Sequence, residues 1–230
     1  MLEHFSGDTL LGHIVERVKR SKYINHVLVA TGNESTNAQL IAACKKQGIE
    51  TFCGSDEDVL SRFYFAAKPL SPGIIVRITA DDPLKDPEVI DRAIEILLQS
   101  QYDYVSNTLK PTYPEGLDIE TFTFAALDRA FHEAKLLSER EHVTPYIWKN
   151  LRLFRTHNFE YSTDLSHLRW TVDYAEDMDF VKKIYRHFEG KGYFGMQDIL
   201  QFLAQNPGLS RTNQDVERNQ AYNQMVKHEQ

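Results

Sequence analysis

The sequence predicts an α/β fold, a doubly wound and mostly parallel sheet with helices on its faces, from three observations. His26 to Thr31 and Gly73 to Thr79 are short, nearly continuous apolar runs, the pattern of strands covered on both sides. Segments of helical periodicity alternate with them at the spacing of βαβ units. Two apolar stretches, Val76 to Thr79 and Leu168 to Val172, run directly into acids, and ligands gather at the carboxyl ends of strands in such sheets.

Each element has a local reason. Leu10, Leu11, Ile14, Val15 and Val18 recur at helical spacing within Asp8 to Arg20, with Asp8 placed to cap the start and Lys19-Arg20 to suit the end. After the strand at His26 to Thr31 come a helix over Asn37 to Lys46 stopped near Gly48, a short strand at Glu50 to Phe52 and a helix over Asp56 to Ala67. The Gly73 to Thr79 strand leads to Asp86-Pro87, a cap followed by proline at the first helical position, and then to a helix whose face is Val89, Ile90, Ala93, Ile94, Leu97 and Leu98. The second half is less regular. Tyr102 to Thr108 is strand-like, Thr112 to Thr121 turn-rich and Thr123 to Leu136 helical, and Ser138 with Glu141 fits a capping box that starts a helix running through about Trp148. Leu153 to Phe159 and Leu168 to Val172 read as strands, and Ala175 to Phe188 and Met196 to Ala204 as helices. Asn206-Pro207-Gly208 is a stop, which divides the chain into a domain over residues 1–206 and a polar arm or frayed tail over 207–230.

Composition narrows the class. The 230 residues carry 26 Lys and Arg against 33 Asp and Glu, a net charge of −7, which argues against a basic nucleic-acid-binding face. No apolar run approaches the ~18 residues of a membrane span. The start, Met1 to Asp8, lacks both the basic opening and the apolar stretch of a secretory signal, so the expected location is cytoplasmic. Cys44 and Cys53 sit in apolar contexts and are expected to be reduced packing residues, and the nine His form no zinc-like cluster with them.

Chemistry concentrates in Val76-Arg77-Ile78-Thr79-Ala80-Asp81-Asp82-Pro83-Leu84. A buried strand running into two carboxylates places charge where it is costly unless a metal or cation balances it. The plainer alternative is that Asp82 or Asp86 caps the Pro87 helix while Asp81 faces water. Arg169-Trp170-Thr171-Val172-Asp173 repeats the design, and two hard oxygen ligands at adjacent strand ends suit Mg²⁺; alternatively Asp173 caps the helix that follows. Gly54-Ser55 through Asp58 and Arg62 is a loop into a helix, a place for a base or phosphate or for plain caps. Gly116, Asp118 and Glu120 suit hydrogen bonds to a polyhydroxylated ligand but equally a solvated edge, and Arg140 with His142 is a cation and titratable ring or a surface salt-bridge network.

Taken in order, Gly54-Ser55 with Glu57-Asp58-Val59-Leu60 and Arg62, Val76-Arg77-Ile78-Thr79 with Asp81 and Pro83-Leu84, Tyr113-Pro114 with Gly116-Leu117-Asp118, Ser138 to Tyr146, and Arg169 to Asp173 resemble the spore coat polysaccharide biosynthesis protein F family. That family is grouped with the acylneuraminate and 3-deoxy-octulosonate cytidylyltransferases. The resemblance implies a nucleotide-diphospho-sugar transferase-like fold with a small irregular extension for the sugar or a dimer partner, and transfer of CMP from CTP to an acidic sugar with Mg²⁺ as cofactor. It implies Asp81 and Asp173 as metal-binding and catalytic acids, Arg77 as an assisting charge, and Gly54, Ser55, Asp58 and Arg62 on the nucleotide side. Gly116, Asp118, Glu120, Arg140 and His142 are the sugar-side candidates, and a homodimer is expected through Thr108 to Phe122 and Ser138 to Lys149.

The resemblance also implies a strand and an Ala-Arg-x-x-Ser-x-Arg-Leu-Pro-Gly-Lys type of loop ahead of Met1, holding the CTP triphosphate. That strand belongs between Val27 to Ala30 and Ile74 to Ile78, and without it the sheet centre has unpaired ladders. A polypeptide lacking it is expected to be weak or inactive. The alternatives are a non-catalytic nucleotide- or partner-binding homologue and a nucleotide-sugar glycosyltransferase, the latter leaving Asp173 without a purpose.

Overall fold

In the computed structural model, which describes residues 1–209, 218 and 220–229, a hairpin of β1 (His4–Phe5) and β2 (Asp8–Thr9) leads into α1 (Leu10–Val18). The cap is Thr9, whose hydroxyl accepts from the Gly12 amide at 2.9 Å, and not Asp8, which the hairpin holds in β2. The five expected apolar positions of α1 are all buried, together with Arg17, whose guanidinium donates to the Lys85 and Phe194 carbonyls. β3 (Leu28–Thr31), α2 (Glu34–Lys46) and β4 (Glu50–Cys53) form a βαβ unit, β3 and β4 pairing in parallel from Leu28 against Glu50 to Thr31 against Cys53. α3 (Val59–Ala67) starts later than expected because Asp58 caps it, accepting from the Ser61 amide at 3.0 Å, while Asp56 instead accepts from Asn33.

After β5 (Ile74–Arg77), Asp86 caps α4 (Pro87–Ser100) as expected. Then follow β6 (Tyr104–Ser106), β7 (Glu120–Thr123), α5 (Phe124–Glu133), α6 (Leu137–His142), α7 (Pro145–Lys149), β8 (Thr156–Asn158), α8 (Ala175–His187), α9 (Met196–Gln205) and α10 (Gln220–His228). The second sheet has the order β5-β7-β6-β8. β7 runs against both its neighbours while β6 and β8 are parallel, so β5, β6 and β8 share one direction. This is the expected α/β architecture, mostly parallel with one reversed strand. One apolar core lies among α1, α4, α8, α9 and β6, and a second among α3, α5, α7, β6 and β7.

Three local expectations are corrected. The helix from Ser138 through Trp148 is two short helices, because Val143 takes φ 72° and Pro145 has no amide to continue the ladder. Ser138 lies inside α6, whose cap is Leu136, and Glu139 rather than Glu141 reaches back to the Lys135 and Leu136 amides. Leu168 to Val172 forms no strand; only an isolated bridge joins Arg169 to Glu115. Within Thr108 to Phe122, Tyr113, Leu117, Ile119 and Phe122 are buried in the chain's own core, while Leu109 is exposed.

The two sheets do not join: among the described residues no ladder links β3 to β5. The two strands instead line one groove of about 860 Å³, walled also by Leu11, Ile14 and Val15 of α1 and by Phe63 and Ala66 of α3. Residues patterned for full burial are half-buried here, and Leu98, expected in the core face of α4, is 55% exposed on this groove. Cys44 and Cys53 are free thiols, and among the described residues no helix is long and apolar enough to cross a membrane. Of the expected arm, residues 210–217, 219 and 230 lie outside the described residues.

Candidate active site

β5 delivers Asp81 to the floor of a polar cavity of about 650 Å³. The backbone beyond β5 is fixed by its neighbour, the Val172 amide donating to the Asp81 carbonyl at 2.9 Å and the Thr171 hydroxyl reaching the same oxygen at 3.4 Å. These bonds bring the segment carrying Asp173 alongside, although 92 residues separate the two acids (173 − 81). Asp81 Oδ1 is buried with no hydrogen-bond partner, and its carboxyl is pushed above the usual range by burial and then by the neighbouring Asp82 charge. The water-facing alternative for Asp81 therefore fails, while Asp86 does cap α4. Asp82 is occupied by the Thr79 hydroxyl and by the wholly buried Lys85 ammonium, both at 2.8 Å.

Asp173 is not the helix cap. The carboxylate that reaches back to the start of α8 is Asp177, which accepts from the Asp173 and Tyr174 amides at 3.0 Å, leaving Asp173 half exposed at the cavity. Arg169 organises this wall: its guanidinium, buried to 4% side-chain exposure, donates to Glu115 at 2.8 Å, Asp173 at 2.5 Å and Asp177 at 3.1 Å. Burial alone would lower its pKa, but these carboxylates raise it, so it stays charged.

Of the other sequence candidates, Arg77, Asp118, Glu120 and His142 join the two acids around the cavity. Glu120 lines it but is fully used by protein donors: Arg77 at 2.6 Å, the Tyr104 hydroxyl at 2.7 Å and the Thr144 hydroxyl. Burial and that carboxylate hold the Tyr104 phenol well above its ordinary range. His142 is kept neutral, its pKa lowered by burial and then by Arg77, and its Nε2 is buried without a partner. Gly116 serves the chain rather than a ligand: at φ 98° a Cβ would come within 2.7 Å of the Trp170 carbonyl carbon, in the crossing where the Trp170 amide donates to the Glu115 carbonyl at 2.7 Å.

The remaining candidates lie elsewhere. Arg140 spends its guanidinium on Asp58, at 2.5 and 3.1 Å, and on the Phe131 carbonyl, so a sugar-side and a nucleotide-side candidate bind each other and tie α6 to α3. Gly54 lies under the Arg62 side chain and Ser55 accepts from the Asp58 amide. Arg62, its pKa lowered by burial, lines the groove between β3 and β5. Sequence reasoning missed Lys85, Glu115, Asp177 and Trp148. The signal for Lys85 was present, a lysine three residues after Asp82 in an apolar setting; Trp148 had none.

The segment after β5 brings Asp81, and a crossing loop brings Asp173, to one polar cavity of an α/β fold, the place where such sheets hold ligands. The chain belongs to the cytidylyltransferase family, which it matches over residues 1–203. It is 37% identical to the uncharacterized protein MJ1063 of Methanocaldococcus jannaschii, over 94% of this chain and 88% of that one. It is 30% identical to the spore coat polysaccharide biosynthesis protein SpsF of Bacillus subtilis, over 90% and 88%. A 3-deoxy-manno-octulosonate cytidylyltransferase of Geotalea daltonii is 32% identical over 47% of this chain and 42% of its own. A solved cytidylyltransferase from Leptospira borgpetersenii serovar Hardjo-bovis superposes with a TM-score of 0.87 at 32% identity, over 94% of this chain and 91% of that one.

Proposed function

We propose that this site transfers CMP from CTP to an acidic sugar of the nonulosonate type, for surface polysaccharide or glycan synthesis, with Mg²⁺ as cofactor. The observation that carries the reading is the placement of Asp81 and Asp173 on one polar cavity, Asp81 with a buried carboxylate oxygen that no protein group satisfies. Among the described residues no three His, Cys, Asp or Glu cluster as a metal cage. Two carboxylates nevertheless fit Mg²⁺, which takes most of its shell from water and phosphate. When bound, the ion supplies charge neutralisation on the phosphates. The residues of the chain then do the positioning: Arg169 fixes Asp173, Glu120 fixes Arg77 beside the cavity, and neutral His142 offers a ring nitrogen without competing charge. In the reaction a sugar hydroxyl oxygen bonds to the α-phosphorus of CTP and gives up its proton to water, while the bond from the α-phosphorus to the bridging oxygen breaks and pyrophosphate leaves.

The nucleotide side of this reading includes Arg62 and the groove between β3 and β5. A further strand seated there, carrying the triphosphate loop that the family resemblance implies, would pair two open ladders and end beside Thr79 and Ala80, which continue to Asp81. A homodimer, the sugar identity and a cytoplasmic location belong to the same proposal.

The test is calorimetric titration with CTP and Mg²⁺ of this chain and of a form extended upstream, each alongside Asp81→Asn. Binding by the extended form that disappears in its Asp81→Asn variant is the expected result. If neither form binds, the transfer reading falls and a partner-binding role for the open groove replaces it.

A further inference from the structure

The match to the cytidylyltransferase family ends at residue 203, yet the chain beyond it returns to the cavity. Arg218 forms an ion pair with Asp118, and Glu229, at the other end of α10, accepts from the Ser138 amide at 2.7 Å and its hydroxyl at 2.6 Å. Between these two ties Tyr222 and Asn223 line the cavity, with the Tyr222 ring 5.0 Å from His142 and 6.0 Å from Trp148, both edge-on.

The charge inventory says what this wall adds. The inner cations are engaged: Lys85 with Asp82, Arg77 with Glu120, and Arg169 with Glu115, Asp173 and Asp177. Among the described residues, the side-chain nitrogens at or beside the cavity that are buried without a partner are His142 Nε2, which lines it under Tyr222, and Arg218 Nε, on a guanidinium whose other nitrogens reach the lining Asp118 and the Tyr113 carbonyl. Aromatic edges beside a ring nitrogen and a guanidinium nitrogen that lack partners suit a polyhydroxylated ring bearing a carboxylate.

We propose that Arg218, Tyr222 and Asn223 form the acceptor wall of the site, with Tyr222 setting the shape of the sugar pocket and Arg218 supplying a donor to the acceptor's acid group. This rests on the transfer reading above, and its test separates the two. The unmodified chain and its upstream-extended form, with Tyr222→Ala and Arg218→Ala in each, are titrated separately with CTP and Mg²⁺, with N-acetylneuraminate and with 3-deoxy-manno-octulosonate. Both substitutions are expected to weaken binding of the preferred acid by about tenfold or more while CTP binding stays within about twofold. Acid binding that is indifferent to both substitutions overturns the inference and leaves the transfer reading standing, as does CTP binding with no binding of either acid. Acid binding that depends on the arm without any CTP binding keeps the wall and removes the transfer reading, and no binding of any probe removes both.

Discussion

β5 has two edges, and they have opposite fates. On one side it pairs with β7 over four residues, from Ile74 against Thr123 to Arg77 against Glu120, and that side continues into a cavity where nearly every charge has a counter-charge. On the other side the same residues face the groove toward β3, apolar and without a ladder. Charges have thus been paired around the cavity, with Asp81 Oδ1 and His142 Nε2 left over, while among the described residues no ladder covers the β3-facing edge of β5. Buried peptide groups without partners are costly, so the groove is the part of the fold that an added strand would change most, and the cavity the part it would change least.

The strongest way to break that comparison is at Arg169. Replacing it by Met leaves Asp177 buried and removes the partner of Glu115 and Asp173. The expected loss is about 3–5 kcal/mol of unfolding free energy, the cost of stranding one side of a buried ion-pair network. Urea denaturation of Arg169→Met that shows less than about 1 kcal/mol of loss would mean that the cavity wall is held by packing and not by charge.

Two neighbours on α4 sharpen the contrast. Leu97 is 4% exposed in the main core and Leu98 is 55% exposed on the groove. Leu97→Ala is expected to cost about 2–4 kcal/mol. Leu98→Ala should stay within about 0.5 kcal/mol in this chain. In a form whose groove is filled by a further strand, thermal unfolding of Leu98→Ala should move toward the Leu97→Ala value; equal, small effects in both forms would show that nothing seats against Leu98.

How much of this was legible follows from the same contrast. The helices with a strong apolar face, α1 and α4, and the stop at Asn206-Pro207-Gly208 were readable because burial writes a period into the sequence. Leu98 carried that same signal and is exposed, since periodicity records the burial a residue is suited to, not whether its partner is in place. Asp81 and Asp173, which line one cavity, could be singled out because an acid after an apolar run is locally anomalous. Gly116, Arg140 and Glu120 were recognisable as special but not in role: one makes room for the Trp170 backbone, one binds Asp58 and one collects three donors. Those roles depend on segments tens of residues away, as does the return of Arg218 to Asp118, and no local pattern encodes them. The Leu168 to Val172 strand failed for a related reason: its apolar residues are buried by the crossing with Tyr113 to Leu117, which supplies cover without a ladder.

A pH-dependent effect lies where the cavity meets the arm. Burial holds the Asp118 carboxyl up at about 6, against the opposing pull of Arg218 and Lys85. In the unfolded chain the same group titrates near 3.9. A carboxyl whose folded pKa is raised adds stability below the unfolded value and loses it as pH climbs through the folded one, because the native state binds the proton more tightly. Between pH 4 and pH 7, stability of the unmodified chain should therefore fall relative to Asp118→Asn, by about 1 kcal/mol once partial solvent screening is allowed for. Removing the cation that opposes the shift, in Arg218→Ala, should move the midpoint above 6 and widen the difference. Denaturant midpoints across that pH range read both effects, and a difference between the unmodified chain and Asp118→Asn that does not change with pH would mean that water, not the protein, surrounds the carboxylate.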